Sequence, residues 1–234
     1  MAEDPVLLIT GASSGIGAAA ARRASKAGYR VALGARREDP LRDLAGELGG
    51  DERAVGVRCD VTEWDDNHAL AQRALDSFGR IDAVFANAGF GAKRGFLEES
   101  PEQWRSMVLT NVLGVALTIR ATLPHLLERG TGHYLLTSSI AGRRALPGSL
   151  YSATKFAVSA MGEALRSELR QMHDNSGIRV TLIEPGMTDT EFFDERPQNA
   201  LGDDDIARAV MYALSEPEHV DVNEILIRPA SQAG

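Results

Sequence analysis

Tyr151 stands four residues ahead of Lys155 in the stretch GSLYSATKFAV, and Lys155 is one of only three lysines, with Lys26 and Lys93, in a chain that otherwise uses arginine. On a helix this spacing puts both side chains on one face. A phenol titrates near pH ~10, too high for easy proton exchange at neutrality. An ammonium about 4 Å away, at an effective dielectric of about 20, favours the phenolate by ~4 kcal/mol, roughly three pKa units. The pair therefore predicts a tyrosine brought towards the working pH. The histidines at 68, 125, 133, 173 and 219 are scattered and Cys59 is the single cysteine, so no metal site is expected.

A second candidate lies in TGASSGIGAAAARRA, Thr10 to Ala24, with glycines at 11, 15 and 17 directly after an apolar run. Glycines at a strand-to-helix junction allow a sharp turn, let backbone N–H groups approach a pyrophosphate, and aim a helix N-terminus at its charge. Gly11, Ser13, Ser14, Gly15, Ile16 and Gly17 are accordingly candidate contacts to a dinucleotide. The same letters fit G-x-S-x-G, the nucleophile elbow of a serine hydrolase, with Ser13 as nucleophile and Asp189 or Asp203 followed by His219 as partners. That elbow ordinarily lies deep in a chain, after the strands that build its oxyanion hole, whereas here one strand precedes it. The next apolar run ends in LGARRED. A carboxylate there would accept from a ribose 2′-OH; Arg36 and Arg37 instead suit a 2′-phosphate, so NADP(H) is favoured over NAD(H). The plain alternative is two solvated arginines partly offset by Glu38 and Asp39.

Apolar runs alternate with stretches of helical period, the pattern of βαβ units on a parallel sheet. Strands are expected at 6–9, 31–35, 54–59, 82–86, 133–138, 179–185 and 224–227. Their near-continuous hydrophobicity suits burial on both faces. Helix starts are expected at Asp39-Pro40, at Thr62 to Asp65 as a capping box, and at Ser100-Pro101-Glu102-Gln103. Ala157, Ala160, Met161, Ala164, Leu165, Leu169 and Met172 predict one long helix to about Met172, with Tyr151 and Lys155 on its first turns. With 234 residues, 44% of them hydrophobic, and no repeat or linker, a single domain is expected. No apolar run reaches the ~18 residues of a membrane span, and the acidic start MAEDPVLLIT lacks the basic region of a secretory signal, so a cytoplasmic protein is expected. A net charge of -8 argues against nucleic acid or an anionic membrane as partner.

TGASSGIG, CDV at 59–61, ANAG at 86–89, Asn111, SSIAG at 138–142, YSATK at 151–155 and PGMTDT at 185–190 occur in the order and spacing of the short-chain dehydrogenase/reductase family, and the chain resembles its compact single-domain branch. The resemblance implies an α/β, Rossmann-type doubly wound parallel sheet of about seven strands with helices on both faces. It implies an oxidoreductase interconverting a small-molecule carbonyl and alcohol by hydride transfer, with Tyr151 as general acid/base and Lys155 bonding the nicotinamide ribose hydroxyls while staying near the phenol. Ser139 resembles the substrate-orienting hydroxyl, although the interval to Tyr151 is one residue shorter than the commonest spacing and Ser138 competes. Asn111 would break its helix locally and hold a water linking Lys155 to solvent. Asp60 and Val61 would line the adenine pocket, Asn87, Ala88 and Gly89 would close the sheet end, and Pro185, Gly186, Thr188 and Thr190 would meet the nicotinamide. Phe90 to Arg94, Arg143 to Leu150 and a lid at about 187–201 would form the substrate pocket, where Arg143 and Arg144 either meet an acidic substrate or cap their loop. A homodimer or homotetramer is expected by the same resemblance, and a non-catalytic dinucleotide sensor is the further alternative.

Overall fold

The computed structural model describes residues 4–189 and 199–232. Seven parallel strands form one sheet in the order β3-β2-β1-β4-β5-β6-β7: β1 Val6–Thr10, β2 Arg30–Ala35, β3 Ala54–Arg58, β4 Ala83–Ala86, β5 Gly132–Thr137, β6 Ile178–Pro185 and β7 Glu224–Ile227. Each lies within a residue or two of its expected span, because a parallel strand covered on both faces must be apolar along its whole length. Two-residue alternation splits β1 between two cores. Val6 and Leu8 face one with residues of β5, β6 and the helices of that side, while Leu7 and Ile9 face the other. The first core is closed by α3 Trp64–Phe78, α5 Gly114–Arg129 and α6 Leu150–Gln171; the second by α1 Gly15–Lys26, α2 Glu38–Glu47 and α7 Asp203–Ser215.

The order reverses between β1 and β4, which lie side by side although two strands separate them in sequence. Such a switch point leaves a crevice at the carboxyl ends of the strands, where α/β sheets take their ligands. The loops after β1, β4, β5 and β6 all open there.

Two helix starts differ from expectation. α2 begins at Glu38 with Arg37 at the N-cap, so Pro40 is its third residue. α3 begins at Trp64 with Glu63 at the N-cap, and Thr62 is turned to Asp60 instead of capping. Ser100 does cap α4 Pro101–Val108, accepting from the Gln103 amide at 3.2 Å with Pro101 at the first helical position. The run Pro101–Arg129, contrary to the sequence expectation, is long and apolar enough to cross a membrane by length and composition. It packs on the sheet with Asn111, Thr118 and Thr122 buried on its inner side, and a π turn at Leu109–Leu113 interrupts it.

Candidate active site

At the end of β1 the chain turns through Gly11 at φ +67° and Gly15 at φ +56°, the left-handed region that favours glycine. Gly17 has a different reason: a Cβ there would lie 2.3 Å from the Gly11 carbonyl oxygen and 2.9 Å from Asn87 Nδ2. Overpacking of this kind costs about 1–3 kcal/mol. Gly17→Ala is therefore expected to lower the unfolding free energy by about that amount and to weaken dinucleotide binding, measured by denaturant melts and ligand titration.

Asn87 knits three strand ends. Its amide N–H donates to Thr10 Oγ1 at 3.1 Å, its Nδ2 to the Thr10 and Gly11 carbonyls at 3.3 and 3.4 Å, and its Oδ1 accepts from Thr137 at 3.2 Å. Ala88 N–H also donates to Thr10 Oγ1. The loop is thus held in place by β4 and β5. Ile16 is half-buried against the second core.

The N-terminus of α1 suits an anion. Ser14 is its N-cap without a side-chain cap on the helix, and no acidic residue lies in the first turn, whereas the first turns of α2, α3 and α7 all carry acids. The helix end offers its positive partial charge to an anion, with the Asp203 carboxylate of α7 nearby, 3.7 Å from where a Cβ on Gly15 would lie. Arg37 reaches over this turn, donating through Nη2 to Ser14 Oγ at 2.8 Å and to Ser13 Oγ at 3.3 Å. Arg36 takes a different direction: with Asp60, Thr62 and Arg105 it borders a cavity of about 230 Å³. Asp60 Oδ1 accepts from the Thr62 amide and hydroxyl at 3.0 and 2.8 Å, while its own amide donates to Asp66. Val61 is buried against Gly114 of α5. The residues present therefore fit a dinucleotide, with a pyrophosphate at the α1 terminus and an adenosine end towards Arg36 and Asp60.

Tyr151 is the second residue of α6, whose N-cap Ser149 accepts from the Ser152 amide at 3.2 Å. Lys155 is one turn later and 3% exposed. Its Nζ donates to the Thr137 carbonyl at 2.7 Å and lies 5.6 Å from the centroid of the Tyr151 ring. Ser139 begins a 3₁₀ turn, Ile140–Gly142; its Oγ accepts from the Ala141 amide at 3.1 Å, donates to the Pro185 carbonyl at 3.3 Å, and is hydrogen-bonded to the Tyr151 side chain. Ser138 faces the other way, with its Oγ on the Lys155 carbonyl at 3.1 Å and Ser159 at 2.8 Å. Of the two serines, Ser139 is the one that meets the phenol.

Asn111, fully buried in the π turn, donates through Nδ2 to the Phe90 carbonyl at 2.9 Å and Thr154 Oγ1 at 3.1 Å, and accepts from the Phe90 amide at 3.0 Å. A π turn is a frequent mark of a functional position. A Cβ on Gly89 would lie 3.0 Å from Asn111 Oδ1 and 3.6 Å from Lys155 Nζ, so the three residues converge where glycine leaves room.

The electrostatics correct the sequence-based expectation. Burial pushes the Tyr151 phenol up to about 12, with the Ser139 hydrogen bond pulling the other way. Burial pushes the Lys155 ammonium down to about 8. The simple Coulomb argument omitted desolvation, which opposes both charges and is the largest cause of each shift.

At the end of β6 the Gly186 amide donates to the Ile227 carbonyl at 2.6 Å and the Met187 amide to Gln232 Oε1 at 2.9 Å. Thr188 turns its hydroxyl to the Gly186 carbonyl at 3.2 Å. Thr190 and most of the expected lid lie outside the described residues. Arg143 is not directed at a substrate pocket: it pairs with Glu184 and Glu224. Sequence reasoning missed Thr154, which lies inside YSATK but enters through Asn111, and Glu184 and Gln232, which carry no local motif and enter only through partners distant in the chain. The hydrolase constellation does not assemble. Ser13 is contacted by Arg37, Asp203 starts α7 and His219 follows its far end, a helix of 13 residues or ~20 Å away.

The family model described as short chain dehydrogenase matches residues 5–200. An uncharacterised oxidoreductase of Staphylococcus saprophyticus is 40% identical over 245 residues, covering 99% of this chain and 98% of its own. Among solved structures, an alcohol dehydrogenase of the archaeon Thermococcus sibiricus, complexed with 5-hydroxy-NADP, superposes with a TM-score of 0.89 at 34% identity, covering 98% of both chains. A short-chain dehydrogenase/reductase of Burkholderia phymatum in complex with NAD gives 0.84 at 28% identity, covering 96% of this chain and 89% of its own. A nicotinamide dinucleotide is thus the cofactor class that the structural relatives share. Sheet order, glycine turn, convergent Ser139, Tyr151 and Lys155, and these likenesses have one common conclusion: the chain belongs to the short-chain dehydrogenase/reductase family of oxidoreductases.

Proposed function

We propose that the protein interconverts a small ketone or aldehyde and the corresponding alcohol with NADP(H), using Tyr151 as general acid/base. The observation that carries this reading is the meeting of Ser139 with the Tyr151 phenol, with the Lys155 ammonium 5.6 Å from the ring centroid, beside the N-terminus of α1. When bound, the nicotinamide supplies or takes up the hydride. Tyr151 Oη gives its proton to the carbonyl oxygen in reduction and takes one from the alcohol hydroxyl in oxidation. Ser139 Oγ donates to the same oxygen and holds it in reach of the phenol. Lys155 Nζ, now on the Thr137 carbonyl, is the cation able to bond ribose hydroxyls and to stabilise the phenolate as it forms. Asn111 fixes the Phe90 backbone and Thr154 around this relay. Exposed Val108, Leu113 and Phe156 on α4, the π turn and α6 are compatible with a homodimer or homotetramer, and a cytoplasmic location remains part of the reading.

The preference for NADP(H) rests on Arg37, whose guanidinium already spans the two hydroxyls of the phosphate turn. A charge-assisted hydrogen bond contributes ~1.5–3 kcal/mol, so Arg37→Ser is expected to weaken NADPH binding about 10- to 100-fold. NADH binding should stay within about twofold of its wild-type value. Titration of nicotinamide fluorescence measures both. Equal losses for the two nucleotides would remove the NADP(H) assignment, and binding of neither to the wild type would remove the oxidoreductase reading.

A further inference from the structure

Among the described residues Glu184 is the one fully buried carboxylate, at 1% exposure, and none of the roles above uses it. A buried charge is costly unless paired. Glu184 is the penultimate residue of β6, on the face that Ile178, Val180 and Leu182 turn to the first core. Its Oε2 accepts from Arg143 Nε at 2.5 Å, and the same guanidinium pairs with Glu224 on β7.

Arg143 directly follows the 3₁₀ turn that Ser139 opens. The turn is therefore tied at both ends to consecutive residues of β6, Ser139 to Pro185 and Arg143 to Glu184. These ties are unequal. The Ser139 bond of 3.3 Å is longer than usual for a hydroxyl donor, whereas Arg143 and Glu184 form a short, charge-assisted contact. On its remaining side the turn rests on α6, where a Cβ at Gly142 would lie 2.5 Å from Ser138 Oγ and 2.7 Å from the Lys155 carbonyl oxygen. The turn thus bridges the end of β6 and the backbone of the Tyr151 helix.

We propose that Arg143 and Glu184 are positioning residues that hold the Ser139 hydroxyl against the Tyr151 phenol by fastening the turn between them to the end of β6. Neither touches the reacting atoms. The kinetic consequence rests on the acid/base reading of Tyr151 given above, whereas the attachment itself does not.

The test uses Glu184→Gln, which removes the buried charge, and Arg143→Gln, at a half-exposed side chain. Amide exchange across 140–143 is expected to quicken about tenfold or more in both variants while α6 keeps its protection. With NADPH and para-nitrobenzaldehyde as probes, kcat is expected to fall on the order of 10- to 100-fold with the NADPH dissociation constant within about twofold of wild type. Adding Ser139→Ala should cost nothing more, because the pair acts through that hydroxyl. Unchanged exchange in both variants, or losses that multiply with that of Ser139→Ala, overturns the proposal. Should Glu184→Gln fail to fold, Arg143→Gln decides alone. A wild type that binds no NADPH overturns the functional reading, and exchange then judges the attachment by itself.

Discussion

Tyr151→Phe is expected to lower kcat by about 10²–10⁴-fold, the usual contribution of a positioned general acid or base, while NADPH affinity stays within about twofold. The ring survives the substitution and fills the same space on the first turn of α6, so only the hydroxyl that meets Ser139 is lost. The pH dependence follows from the direction of the shift. With the phenol pushed up to about 12 by burial, the acid form needed for carbonyl reduction is fully present at neutrality, and reduction should be flat from pH ~6 to ~7.5. Alcohol oxidation needs the phenolate and should climb with pH. Steady-state kinetics in both directions check this; a phenylalanine variant with more than a tenth of wild-type kcat would rule Tyr151 out as the acid/base.

Lys155→Met is expected to remove most turnover and yet to stabilise the free protein at neutral pH. The ammonium titrates at about 8 in the fold against an ordinary 10.5. A folded pKa below the unfolded one means that the unfolded chain binds the proton more tightly. The penalty is complete below pH ~8, about 3 kcal/mol from the size of the shift, and disappears as pH rises through the window towards ~10.5. Methionine fills a similar volume without the charge but leaves the Thr137 carbonyl without its donor, which costs about 1–3 kcal/mol, so a net gain of up to ~2 kcal/mol is expected at pH 7, shrinking by pH 10. Thermal melts of both proteins at the two pH values measure it; a variant less stable than wild type at pH 7, or a difference independent of pH, contradicts the account. Lys155→Arg should fail differently. Lys155 is buried with its Nζ held on the Thr137 carbonyl at 2.7 Å, and a planar guanidinium needs more width. Its turnover should fall at least ~100-fold with overpacking added.

These two residues also show how far the sequence alone reached. The seven strands, the glycine turn on β1 and the long α6 were legible because each rests on local information: continuous hydrophobicity, backbone freedom, or helical period. The proximity of Tyr151 and Lys155 was legible for the same reason, since four residues on a helix are always neighbours. The first turn of α3 was misjudged because Thr62 and Asp60 bond each other, a local competition that capping patterns do not weigh.

The charge balance was decided by tertiary structure. Whether a phenol beside an ammonium is driven up or down depends on how much water the fold removes from both, and burial is set by every element packed around them. The choice of Ser139 over Ser138 followed from where each hydroxyl points at the end of β5, Ser138 to the Lys155 carbonyl and Ser159, and Ser139 to Pro185 and the Tyr151 phenol. Arg143 had two readings in sequence and took neither an acidic substrate nor a simple loop cap, because Glu184, 41 residues away, is brought beside it by the parallel crossover from β5 to β6. Residue types and short spacings thus determined the fold class and the chemistry available. Which groups meet, and in what state of protonation, was determined by contacts between segments far apart in the chain, because solvent exclusion is a property of the packed whole.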